Sequence, residues 1–74
     1  MQINYWKWNK KDNRFYYHER PGKERVKETI EKKENQTIHT VEYEGRTITF
    51  TARCGYDRGP GLQRRLHKVF FGGR

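Results

Sequence analysis

Hydrophobic residues make up only 31% of this chain and aromatic residues alone 15%, so whatever it folds into must rest on a thin core rich in rings. At 74 residues that constraint is severe, because a chain this short removes only roughly 60% of its unfolded surface from water. One small domain is therefore expected over residues 1–74, without room for a large internal cofactor. A single cysteine, Cys54, rules out a disulfide framework and a cysteine-based zinc site, and it reads as a reduced, half-buried thiol. No apolar stretch approaches the roughly 20 residues needed to span a bilayer, and the start lacks a signal-peptide apolar region. A soluble, cytoplasmic protein with no membrane partner is the expectation.

The net charge of +8 is unevenly placed. Residues 1–21 hold five cations and two acids, for +3; residues 22–46 hold six of each, for zero; residues 47–74 hold six cations against Asp57, for +5. Basic flanks around a self-compensating middle suit an anionic partner such as nucleic acid.

Residues 2–8 and 14–19 are aromatic and β-branched, and Lys10-Lys11-Asp12-Asn13 between them is a turn-forming cluster, which predicts a β-hairpin. An even number of loop residues puts Trp6, Trp8, Phe15 and Tyr17 on one face and Ile3, Tyr5, Lys7, Arg14, Tyr16 and His18 on the other. The first face is expected to be core. The second mixes rings with cations and is the better ligand surface.

Pro21-Gly22 ends this hairpin and opens residues 23–34, a Glu/Lys-rich stretch without glycine or proline, closed by Asn35 and read as a helix. Glu28 and Lys32 have the favourable i,i+4 order, with Val26 and Ile30 as the apolar anchors of a mostly solvated brace. Residues 37–43 and 46–54 then flank Glu44-Gly45 as a second hairpin that pairs Tyr43 with Arg46, Val41 with Ile48, His39 with Phe50 and Thr37 with Ala52. Its other face pairs Glu42 with Thr47, Thr40 with Thr49 and Ile38 with Thr51. Residues 55–61 read as a loop. Beyond it Leu62, Leu66, Val69 and Phe70 recur at helical spacing, which favours a short basic helix over a strand at residues 66–71. Residues 72–74 should fray. The expected fold is α+β, two hairpins flanking one helix (β-β-α-β-β) with a short C-terminal helix.

The glycine-rich loop and the following helix start, with Arg53, Arg58, Arg64 and Arg65 nearby, suit a phosphate clamp, though the missing Gly-Lys-Ser/Thr ending excludes a nucleotide P-loop. Three histidines spread over three elements leave a metal-independent ribonuclease as a minor reading; His39, beside Val41 and Phe50, fits a satisfied semi-buried imidazole. No metal ligand set and no catalytic constellation is visible. The opening Met1-Gln2-Ile3 and Gly72-Gly73 after a β-β-α-β run resemble ubiquitin over those few residues, which would imply a β-grasp fold; here Arg74 follows the glycines, so conjugation would need trimming.

The leading expectation is a nucleic-acid-binding protein of low sequence specificity. Lys7, Arg14, Arg53, Arg58, Arg64, Arg65 and Lys68 would neutralise phosphates, and Tyr5, Tyr16 and Tyr56 would stack bases. The alternative from another class is a small protein-binding regulator or inhibitor of phage or mobile-element type, acting through the sheet or its edge. Monomer and homodimer are both compatible with a thin core.

Overall fold

A computed structural model describes residues 2–53 and 60–72, apart from the side chains of Arg53 and Pro60. Five strands, β1 (Gln2–Asn9), β2 (Arg14–His18), β3 (Arg25–Lys32), β4 (Gln36–Tyr43) and β5 (Arg46–Arg53), precede one helix, α1 (Pro60–Phe70). The strands form a single antiparallel sheet in the order β2-β1-β3-β4-β5.

This corrects the expected β-β-α-β-β order. Residues 23–34 hold no helix; their core is β3, the central strand, hydrogen-bonded to β1 on one side and β4 on the other. The β-grasp arrangement implied by the ubiquitin-like strings falls with it, since that fold needs a helix at this point. Val26 and Ile30, four apart, satisfy a helical period and a strand period equally. The tie is broken by Glu28 between them, which points to the same side as Val26 and is just as buried, so the segment alternates in a period of two. Two flanking strands satisfy its backbone on both sides, and that outweighs the helix preference of Glu and Lys.

Both hairpins form, the first with the expected division of faces and the second in the expected register. Trp8 faces Phe15 and Trp6 faces Tyr17; Tyr43 faces Arg46, Val41 faces Ile48 and His39 faces Phe50. Glu44 and Gly45 both adopt positive φ, at 48° and 81°, which is the type I′ turn that matches the strands' twist. The C-terminal segment is a helix rather than a strand. It begins at Pro60, so Pro60 and Gly61 belong to it and not to the loop, consistent with proline's fixed φ at a first helical turn. Loop residues 55–59, with Cys54 and the terminal 73–74, lie outside the described residues.

Leu62, Leu66 and Val69 of α1 pack on Trp6, Phe15, Val26 and Val41, closing a two-layer core. Trp8, Phe70 and Phe50 border it; Tyr17, expected in the core, shares that face but remains 46% exposed. Two polar clamps hold the helix down. The Gln63 amide exchanges hydrogen bonds with both backbone groups of Phe15, at 2.8 and 2.9 Å, and Arg46 donates to the carbonyls of Val69 and Phe70, which the helix end leaves open.

Because β2 and β3 lie on opposite sides of β1 and run parallel to each other, residues 19–24 must cross β1 to connect them. Arg25 sits at a register position facing away from α1, and its Nη1 donates to the carbonyls of Arg20 (2.7 Å) and Pro21 (3.4 Å). The crossing strap therefore lies on the far face of the sheet. Gly22 permits this: a Cβ there would stand 2.8 Å from the Arg25 guanidinium carbon.

Candidate functional site

Two constellations of chemistry-bearing side chains emerge, one buried on the helix side and one open on the far side. The buried one centres on Glu28, only 1% exposed, which the sequence reading placed on a solvated helix beside Lys32. Its Oε1 accepts from Trp6 Nε1 (2.9 Å) and Asn4 Nδ2 (3.3 Å), and its Oε2 faces His39 Nδ1 at 2.8 Å. The far nitrogen of His39 meets the Thr37 hydroxyl at 2.8 Å, and the imidazole stacks on Phe50 at 4.9 Å and 7°. Glutamate, histidine and threonine thus form a chain, but Glu28 and His39 are shut away from solvent and both carboxylate oxygens are engaged. A buried carboxyl with all its partners supplied in this way ties β1, β3 and β4 together. His39 is the satisfied imidazole expected from the sequence. Above its stacking partner lies Arg65, with its guanidinium 4.2 Å from the Phe50 ring and Nη1 donating to the Gly61 carbonyl at 3.2 Å, so Arg65 serves as a lid on the core.

The open constellation lies beside the turn of the first hairpin. Strand pairing sets Lys7 between Tyr16 and Arg25, and Tyr5 between His18 and Lys27, all on the far face. A surface groove of about 500 Å³ is lined there by Lys7, Trp8, Lys10, Lys11, Tyr16 and His18. The Tyr16 ring is 40% exposed; Arg14 lies over it with the guanidinium carbon 5.5 Å from the centroid, and its hydroxyl donates to Asp12. That hydrogen bond, followed by partial desolvation and the Asp12 charge, raises the phenol above its ordinary pKa. Among the described residues, Lys7, Lys10, Lys11 and Arg14 form no ion pair, which leaves their field directed at the groove.

The candidates named from sequence are therefore divided. Lys7, Arg14 and Tyr16 come together at the groove, and Tyr5 is half-buried on the same face near the strap. Arg64 and Lys68 are exposed on α1, on the opposite side of the sheet. Tyr56, Arg58 and the Arg53 side chain lie outside the described residues. Sequence reasoning missed Lys10 and Lys11, taken only as turn formers, and Arg25 and Lys27, hidden in the supposed helix. The signal for the two lysines was their closeness to Lys7, from which only Trp8 and Asn9 separate them.

Comparison with protein-family models, with curated proteins and with solved structures found no match to this chain. Among the described residues no helix is long and apolar enough to cross a membrane, and no group of three or more His, Cys, Asp or Glu residues is placed to hold a metal.

Proposed function

We propose that this protein binds single-stranded nucleic acid, RNA or DNA, in the basic groove on the far face of the sheet, with low sequence specificity. The observation that supports the reading is the clustering of Lys7, Lys10 and Lys11 with an exposed tyrosine and a histidine around one groove. The lysines neutralise successive phosphates and release their counterions, which supplies affinity without reading sequence. An unpaired base stacks on the Tyr16–Arg14 pair, and this step favours single strands because a paired base keeps its faces inside the duplex. Arg64 and Lys68, on the other side of the molecule, add to the long-range field that draws a polyanion in and do not touch the bound strand.

Fluorescence anisotropy tests this with labelled single-stranded RNA, single-stranded DNA and duplex DNA of equal length, titrated with protein at several salt concentrations. Single strands should bind more tightly than duplex, with log affinity falling linearly in log salt at about 0.7 per neutralised phosphate. Duplex binding as tight as single-strand binding, or flat curves for all three, would overturn it.

A further inference from the structure

The two edges of the sheet are treated differently. At β2 the outward backbone groups of Phe15 are taken up by the Gln63 amide, the strand is only five residues long, and Arg14, His18 and the nearby Pro21 discourage pairing. At β5 the cations Arg46 and Arg53 stand only at the strand ends, and among the described residues no side chain takes up the outward backbone groups between them. The strand is eight residues long, and its interior, Thr47-Ile48-Thr49-Phe50-Thr51-Ala52, is free of charge and proline in a chain that is 35% charged.

Strand geometry states which groups that edge offers. A two-residue type I′ turn makes Tyr43 and Arg46 a hydrogen-bonded pair, so hydrogen-bonded and non-hydrogen-bonded pairs alternate from there. Thr47, Thr49 and Thr51 then aim their N–H and C=O groups outward, away from β4; the near approach of the Thr40 and Thr49 hydroxyls, at 3.4 Å, fits the closer, non-hydrogen-bonded kind of pair. An outward row of backbone groups in an uncharged strand is a template for another strand.

We propose that β5 pairs antiparallel with β5 of a second copy of this chain, centred on Thr49, joining two sheets into one of ten strands. The sequence of β5 is self-complementary in that register. Thr49 meets Thr49 of the second copy and Thr47 meets Thr51, so threonines pair with threonines on the far face while their backbones exchange hydrogen bonds. On the helix side the half-buried Ile48 meets the half-buried Phe50 of the second copy in a close pair, beside the Arg65 guanidinium that lies over each Phe50 ring. A two-fold axis normal to the sheet puts both basic grooves on the same side of the dimer. The edges left over are the two β2 strands, each closed by its own Gln63, so assembly stops at two.

Sedimentation equilibrium of the protein alone tests this, independently of any nucleic acid. The mass should rise with concentration from 9.1 kDa toward twice that value and no further. Thr49→Lys sets two like charges face to face and should hold the chain monomeric, whereas Thr40→Lys, one strand inward on the same face, should dimerise as the wild type does. Isotope-filtered nuclear Overhauser spectra of a mixed labelled sample need no substitution: they should show an intermolecular contact between the Ile48 Hα and the Phe50 Hα. A wild-type chain that stays monomeric at millimolar concentration, assemblies larger than two, or a Thr49→Lys variant that dimerises normally would overturn the proposal.

Discussion

The two faces of the sheet are made from the same strands and do opposite work. On the helix side Trp6, Phe15, Val26 and Val41 are shut off from solvent and even the Glu28 carboxyl is fully engaged; on the far side Lys7, Tyr16 and Glu42, immediate neighbours of Trp6, Phe15 and Val41, are exposed. With a side-chain period of two, one residue's displacement separates a stability determinant from a binding one. A small chain with few hydrophobic residues can thus keep half of each strand for a partner, provided the other half includes polar groups that pair completely.

Substitutions that confuse the two faces would break this comparison. The largest effect is expected from Glu28→Ala, which removes the shared partner of Trp6 Nε1, Asn4 Nδ2 and His39 Nδ1 and should cost about 3–5 kcal/mol in urea unfolding, enough to unfold much of so small a domain. A loss below about 1 kcal/mol would mean that the buried network contributes little. The triple change Lys7→Ala, Lys10→Ala and Lys11→Ala should leave the unfolding midpoint nearly unchanged and lower the salt slope of single-strand binding by about 2 in log units. An equal loss from Arg64→Ala with Lys68→Ala would place the strand on the helix side instead. Tyr16→Ala should weaken binding by about 1–3 kcal/mol at fixed salt, again with little effect on folding.

Smaller effects sharpen the picture. Glu44 holds a left-handed conformation at φ 48° in which asparagine is preferred, so Glu44→Asn should stabilise by up to about 1 kcal/mol, read as a higher melting temperature. The smallest is a titration. Tyr16 keeps its proton more tightly folded than unfolded, so its contribution to stability is present below the ordinary phenol range near 10 and is lost as pH rises through the elevated folded value. Ultraviolet titration should show two phenols ionising late, Tyr16 and the Tyr43 that burial raises, and Asp12→Asn should bring down Tyr16 alone.

Much of this architecture could be read from residues alone, and the failure is as instructive as the successes. The hairpins were legible because Glu44-Gly45 and Lys10-Lys11-Asp12-Asn13 punctuate alternating segments, and the register then follows from counting. The C-terminal helix was legible from Leu62, Leu66, Val69 and Phe70. Strand β3 was hidden because its middle inward position is an acid: Val26-Lys27-Glu28-Thr29-Ile30 reads as a polar helix unless donors for Glu28 are known. Those donors, Asn4, Trp6 and His39, lie 24, 22 and 11 residues away, where no local pattern reaches. The groove was half legible for the same reason. Lys7, Arg14 and Tyr16 share a hairpin whose pairing is local, whereas the neighbourhood of Arg25 and Lys27 exists only once β3 docks on β1. Arg64 and Lys68 stand apart from them, because charge along a sequence does not say on which side of a sheet a helix will lie.

The most direct test of the central claim, that the far face and not the helix side holds the nucleic acid, is a ¹⁵N-resolved NMR titration of the folded protein with a short single-stranded oligonucleotide. The account predicts shifts concentrated at Lys7, Lys10, Lys11, Tyr16 and His18, with Arg64 and Lys68 nearly still. Perturbations centred on α1, or spread evenly over both sides, would contradict it.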